Sequence, residues 1–94
     1  MGIEYSIKFD PFDQRSAEKV LIGLSSPELT IQDGYGFHYW KTAPTEGMSD
    51  ATASIESDGL YFNDHGGFGP EILGRLVTQL VSKFGVITVQ EYEP

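Results

Sequence analysis

The segment from Phe68 to Gly85, FGPEILGRLVTQLVSKFG, constrains the fold more than any other part of this chain. Its apolar residues recur at intervals of three and four, which is the spacing of one face of an α-helix. They cover an arc of roughly 180°, wider than the usual apolar stripe of a surface helix. So broad a face needs an apolar layer to lie on. The members of this arc are Ile72, Leu73, Leu76, Val77, Leu80, Val81 and Phe84.

Both ends of this segment carry residues typical of helix termini. Pro70 suits the first helical position, where its missing N–H costs nothing, and Glu71 complements the positive end of the helix dipole. Lys83 lies in the predicted last turn, and Gly85 can adopt the left-handed conformation that ends a helix. The sequence therefore predicts where this helix begins and ends.

The N-terminal quarter of the chain predicts one strand followed by a second helix. Apolar and polar residues alternate over 3–10, which indicates a strand with one wet face. A helix is predicted over about 11–24, capped by Asp10 or Asp13 and ended by the Ser25-Ser26-Pro27 run. Its apolar stripe is narrower and consists of Ala17, Val20, Leu21 and Leu24.

Residues 29–41 predict a hairpin whose turn decides which face is buried. A two-residue turn at Asp33-Gly34 would put Leu29 and Ile31 on the same face as Gly36, His38 and Trp40. A three-residue loop over 34–36 would instead pair Ile31 with Tyr39 and collect the apolar residues on one face. We therefore predict the three-residue loop, which leaves His38 and Trp40 pointing away from the core.

A surface loop over 41–50 separates this hairpin from a second one. Asp58-Gly59 is the strongest short hairpin signal in the chain, and it is flanked by strands predicted over 51–57 and 60–63. A turn there pairs Ile55 with Phe62 and places Glu56 opposite Tyr61 on the outer face. A last strand is predicted over 86–92.

The predicted element order is β-α-β-β-β-β-α-β, within one domain over 1–94. Two helices on one face of a mainly antiparallel sheet give an α+β fold, a two-layer sandwich. No repeat and no linker divides the chain. The pattern leaves the strand order open.

Composition narrows the classes of partner. Fourteen acidic and six basic side chains give a formal net charge of −8, which repels phosphate backbones and anionic lipids. A nucleic-acid or membrane partner is therefore not expected, whereas the charge favours a basic partner or a cation, or serves solubility alone. The chain has no cysteine, no apolar run near the ~20 residues of a membrane span and no signal-peptide pattern, so a cytoplasmic location is expected.

The stretch NDHGGFG at 63–69 is the most suggestive place for chemistry. It joins a predicted strand to a predicted helix, where backbone N–H groups converge. Its glycine spacing fits no phosphate-binding motif, and Asp64 would repel an anion. His38 and His65 show no metal-ligand spacing, so neither a metal nor a cofactor is expected. No nucleophile elbow is present, and an enzyme is not favoured.

Aromatic residues suggest a binding surface more strongly than the titratable groups do. Trp40 and Tyr61 are predicted on the outer face of the sheet, together with His38 and the carboxylate of Glu56. Exposed aromatic residues with a carboxylate rim suit a basic protein partner. The first hypothesis is accordingly a non-catalytic interaction module, such as an inhibitor or immunity-type partner of a basic protein, or a homodimer. The alternative is a small-ligand or catalytic site at Asp64, His65 and the adjacent glycines, with the 41–50 loop as a lid.

Overall fold

The structure is a computed structural model that describes residues 2–34, 36–42, 44 and 48–91. The described residues form an α+β fold with the predicted element order, apart from one added 3-10 turn at Pro27–Leu29. The elements are β1 (Ile3–Phe9), α1 (Gln14–Ile22), β2 (Thr30–Asp33), β3 (Gly36–Tyr39), β4 (Ala51–Ile55), β5 (Gly59–Asp64), α2 (Gly69–Phe84) and β6 (Ile87–Glu91).

The strands form one six-stranded antiparallel sheet in the order β2-β3-β4-β5-β1-β6. The N-terminal strand β1 lies inside the sheet, between β5 and the C-terminal strand β6. The four strands from β2 to β5 follow one another in space as they do along the chain. The outer strands are therefore β2 and β6.

One hydrophobic core lies between the sheet and the two helices. Alternate residues of the inner strands supply one wall, and the stripes of α1 and α2 supply the other. Tyr39 is completely buried, and its hydroxyl donates a 2.6 Å hydrogen bond to the carbonyl of Leu21, in the last turn of α1. Burial raises the pKa of Tyr39, so the phenol stays protonated and continues to donate. This bond ties α1 to the middle of the sheet.

The helix boundaries differ slightly from those predicted. Asp13 is the N-cap of α1, accepting from the Arg15 N–H at 3.3 Å and from the Ser16 hydroxyl at 2.6 Å. That helix ends at Ile22, before the predicted stop, because Gly23 closes it with backbone bonds to the last turn. Gly85 has the expected positive φ, 85°, after α2. Neither helix in the described part of the chain has the length and apolar content needed to cross a membrane.

The predicted register of the first hairpin is wrong. Ile31 pairs with His38 and Asp33 with Gly36, so Ile31 faces outwards and remains 42% exposed. Gly36 belongs to β3, where a Cβ atom would lie 2.3 Å from the Ala53 carbonyl oxygen, and not to a loop. Because β2 is a short outer strand, little core is lost by leaving its isoleucine outside. The predicted outward direction of His38 is confirmed.

The second hairpin has the predicted faces but not the predicted pairing. Ile55 pairs with Leu60 and Ala53 with Phe62, so the turn residues are Ser57 and Asp58. The observed pairing is displaced by two residues from the predicted one. Because side chains alternate with a period of two, every residue keeps its face. Gly59 lies in β5, where a Cβ atom would come within 2.1 Å of the Ile7 carbonyl oxygen in β1. Glycine fits this position because β5 and β1 approach closely there, and not because the turn needs it.

Candidate functional site

The candidate site is the side of the sheet opposite the helices, here called the open face. Among the described residues both helices pack on the other side. Every inner strand therefore presents half of its side chains outwards. From one edge of the sheet to the other, the open face carries Ile31 and Asp33, His38, Thr52 and Ser54, Tyr61 and Asn63, Glu4, Ser6 and Lys8, and Thr88 and Gln90.

A hydrogen-bonded histidine cluster occupies one end of the open face. The Thr52 hydroxyl oxygen lies 3.0 Å from His65 Nε2, 3.3 Å from His38 Nδ1 and 3.3 Å from the Ser49 hydroxyl. The other ring nitrogen of His38, Nε2, lies 3.0 Å from Asp33 Oδ2, an ion-pair distance without hydrogen-bond alignment. We define the histidine cluster as Asp33, His38, Ser49, Thr52 and His65.

Strand register and two loop contacts bring the cluster together. His38 in β3 lies directly opposite Thr52 in β4. His65 follows β5, and its backbone N–H donates to the Asp50 carbonyl at 3.0 Å. The Asp50 carboxylate accepts the Lys41 N–H at 2.8 Å, which ties down the start of the 41–50 segment. Asp50 therefore links the 41–50 segment to the loop that follows β5.

The single hydroxyl proton of Thr52 couples the two imidazoles. When both rings are neutral, Thr52 can donate to only one of them and must accept from the other. The carboxylate of Asp33 beside His38 Nε2 favours a proton on that nitrogen, so that His38 Nδ1 accepts from Thr52. His65 Nε2 then donates to Thr52, which leaves His65 Nδ1 with a lone pair. In this arrangement His65 donates from Nε2 and can accept a hydrogen bond at Nδ1 at neutral pH.

We expect His65 to remain neutral to a lower pH than an ordinary histidine. Burial is the largest cause of its lowered pKa, and the charge of His38 also lowers it, while Asp64 and Asp50 oppose the shift. Because the unfolded chain binds the proton more readily, folding stability is at its full value above the ordinary pKa and falls as the pH drops through the lowered one.

Imidazole resonances followed by NMR against pH would test this, with His65→Gln as the control. An inflection for His65 at or above the ordinary histidine value of about 6.5 would contradict the prediction. So would an unchanged acid dependence of stability in His65→Gln.

Apolar side chains border the histidine cluster and form a shallow depression with it. The depression has a volume of about 450 Å³ and includes Ile31, Trp40 and Met48 besides the cluster. The Trp40 ring lies 6.4 Å from that of His38, centroid to centroid, and is tilted by 43°. Its indole N–H is buried without an acceptor among the described residues, which costs about 1–3 kcal/mol.

Tyr61 forms a separate polar group nearer the middle of the open face. Its hydroxyl donates to the Glu4 carboxylate in β1, and the Asn63 amide donates to the same hydroxyl at 3.3 Å. Partial burial and the bond to Glu4 raise the pKa of Tyr61 to about 12. The predicted pairing with Glu56 is wrong, because Ser54 lies opposite Tyr61, while Glu56 follows β4 and is exposed.

The Asp64 side chain lies on the opposite side of the sheet from the other predicted site residues. The strand register puts it on the helix side of the sheet, where it is buried and accepts the Gly66 N–H at 2.8 Å. A Cβ atom on Gly69 would lie 2.0 Å from its carboxylate oxygen, so Asp64 lies against the beginning of α2. The structure therefore brings His38, Trp40 and His65 together, places Tyr61 and Glu56 elsewhere on the open face and directs the Asp64 side chain to the helix side, although its charge still acts on the adjacent His65.

No protein-family model, curated protein or solved structure matches this chain. Among the described residues no group of three or more histidine, aspartate or glutamate side chains is placed to hold a metal ion. The sequence interpretation missed Asp33, Ser49 and Thr52 as members of the site. The alternation that places Glu56 on the outer face of its strand places Thr52 there as well. The contact of Thr52 with His38 follows only once β3 and β4 are known to be neighbours.

Proposed function

We propose that this protein is a non-catalytic interaction module whose open face binds a basic protein. The observation that supports this best is the position of Trp40 and Tyr61, which are both half-buried on a face that the two helices leave uncovered. Tryptophan and tyrosine dominate binding energy in many protein interfaces because each buries a large area with little loss of side-chain freedom. An inhibitor or immunity-type protein would be one form of this function.

The distribution of charge favours a basic partner on this side. On the open face the strands carry two carboxylates, Glu4 and Asp33, and Glu56 follows β4, whereas Lys8 is the single base. Lys8 is already paired with Asp58 at 2.8 Å. The two helices contain more bases than acids. Their four bases are Arg15, Lys19, Arg75 and Lys83, and their two acids are Glu18 and Glu71.

The same charges argue against a second copy of this chain as the partner. An isologous dimer through the open face would place the carboxylates of one copy against the same carboxylates of the other. Each copy also carries a net charge of −8. Like charges brought together at an interface cost binding energy and lower the rate of encounter. A basic protein has neither problem.

The experiment is affinity capture with the tagged protein, followed by mass spectrometry, on the wild type and the double variant Trp40→Ala/Tyr61→Ala. We expect the wild type to retain a basic protein. The double variant should retain at least about tenfold less of it, because each aromatic anchor contributes about 2 kcal/mol or more to binding. Retention should also fall as salt rises.

The control variant is Val81→Ala on α2, which removes an exposed apolar side chain from the opposite side of the molecule. It should retain the same partner protein as the wild type does. Circular dichroism should show that all variants fold. If the double variant retained the same protein as the wild type, the open face would not be the binding site.

A second candidate function is the binding of a small molecule in the depression. The observation in its favour is that His65 meets further polar groups there, Thr52 directly and His38 through Thr52. A small molecule that fills the depression would shift the imidazole resonances of His65 and leave the ring resonances of Tyr61 unchanged. The cytoplasmic location stays a prediction.

A further inference from the structure

We propose that the depression beside the histidine cluster is the subsite for one cationic side chain of the partner, an arginine or a lysine. This inference rests on the proposed function and adds to it the chemistry of the contact. The depression combines apolar walls, an aromatic ring, a carboxylate and neutral hydrogen-bond acceptors within about 450 Å³. Each of these matches a different part of a long cationic side chain.

The apolar walls suit the alkyl stem of such a side chain. Ile31 and Met48 are exposed, Met48 by 74%, and so offer apolar area that the chain itself leaves in water. Arginine and lysine bury their methylene groups along apolar surface while their charged ends remain hydrated. The half-buried Trp40 ring adds a cation–π contact of about 0.5–1 kcal/mol at a site of this exposure.

The polar side of the depression suits the charged end. The Asp33 side chain is 45% exposed, so its carboxylate can be reached from solvent while it remains near His38. The Ser49 hydroxyl oxygen and the lone pair of His65 Nδ1 offer further acceptors. None of the described residues that line the depression is lysine or arginine, so no fixed positive charge opposes the ligand.

Other occupants fit less well. An acidic side chain would be repelled by Asp33, and a purely apolar one would remove water from the hydroxyls and imidazoles without replacing its hydrogen bonds. Arginine fits better than lysine, because a planar guanidinium can both stack on an aromatic ring and donate to several acceptors at once.

Acid should weaken this contact. Protonation of His65 replaces its lone pair with a donor and adds a positive charge beside the ligand. The charged groups that face His65 are Asp64, Asp50 and His38, and Asp33 faces His38 from β2. Because burial favours the neutral form of His65, the subsite stays competent at neutral pH and is lost as the pH falls through the lowered pKa.

The test is an NMR titration of the isotope-labelled protein with N-acetyl-arginine amide and, as a matched neutral probe, N-acetyl-citrulline amide. We expect the arginine probe to shift the amide resonances of His38, Thr52 and His65 at millimolar concentration, and the citrulline probe to bind at least about threefold more weakly. Asp33→Asn should reduce the affinity for arginine by about the same factor, and Trp40→Leu should reduce it as well.

Glu71→Gln on α2 is the control variant, because it removes an exposed carboxylate from the helix side, and it should leave arginine binding unchanged. Equal binding of the two probes, shifts confined to other surfaces, or an unchanged affinity in Asp33→Asn would each overturn the inference. If arginine failed to bind but Trp40→Ala/Tyr61→Ala still lost the partner, the proposed function would stand and this subsite would not. If arginine bound as expected and no basic protein were captured, the subsite would stand and the proposed function would not.

Discussion

Replacement of Gly59 by valine is expected to destabilise the fold strongly. Gly59 lies in β5 beside Lys8 of β1, and even the first side-chain carbon would lie 2.1 Å from the Ile7 carbonyl oxygen. Since the clash is with backbone, the inner strands β5 and β1 would have to separate and lose their hydrogen bonds. We expect a loss of at least about 3 kcal/mol, a large part of the stability of a small domain, measured by chemical denaturation.

Gly74→Ala is the matched glycine control. It lies on an exposed turn of α2, and a Cβ atom there meets nothing within 4 Å. Alanine should stabilise the helix by up to about 1 kcal/mol, because glycine has more conformational freedom to lose on folding. The two replacements should therefore act in opposite directions, and a similar loss in both would contradict the proposed close approach of β1 and β5.

Leu80→Ala is expected to be a strongly destabilising truncation on α2. Leu80 is fully buried in the core between the sheet and both helices, and such truncations typically cost about 2–5 kcal/mol. The melting temperature should fall by about 10 °C or more, as thermal unfolding followed by circular dichroism would show.

The next residue along the helix supplies the comparison. Val81 is 47% exposed, so Val81→Ala should change the free energy of unfolding by no more than about 0.5 kcal/mol. Comparable losses in the two variants would mean that Val81 is covered in solution, for instance by another molecule. This comparison also tests how much of the broad apolar arc of α2 the monomer uses.

Local sequence patterns predicted the elements and the layers because each pattern is short-range. The three- and four-residue spacing of α2 and the alternation in β1 depend only on the geometry of a helix or a strand. The insertion of β1 between β5 and β6 depends on contacts between the two ends of the chain, which no local pattern records. The strand order therefore came only from the structure.

The errors of register have a common physical cause. Gly36 and Gly59 were interpreted as turn residues, because glycine is the usual residue of tight hairpin turns. Both lie within strands, where an added Cβ atom would strike the backbone of a neighbouring strand, and Gly36 also has a positive φ of 135°. Two different demands, positive φ and close approach, select the same residue, and the sequence alone does not distinguish them.

The candidate site was predicted only in part for the same reason. His38, Trp40 and Tyr61 face outwards as alternation within their own hairpins predicted. The contact of His38 with Thr52, and of Thr52 with His65, joins residues from separate hairpins and loops. A site assembled across strands becomes visible only when the neighbours of each strand are known.

The strands and the helices differ in the charge that their own side chains carry. The helices contribute an excess of bases and the outer strand surface an excess of acids. Electrostatic attraction by the acidic sheet surface is therefore expected to bring this side to a positively charged partner first. Its effect should therefore appear in the association rate, and most strongly at low ionic strength, more than in the lifetime of the complex once formed.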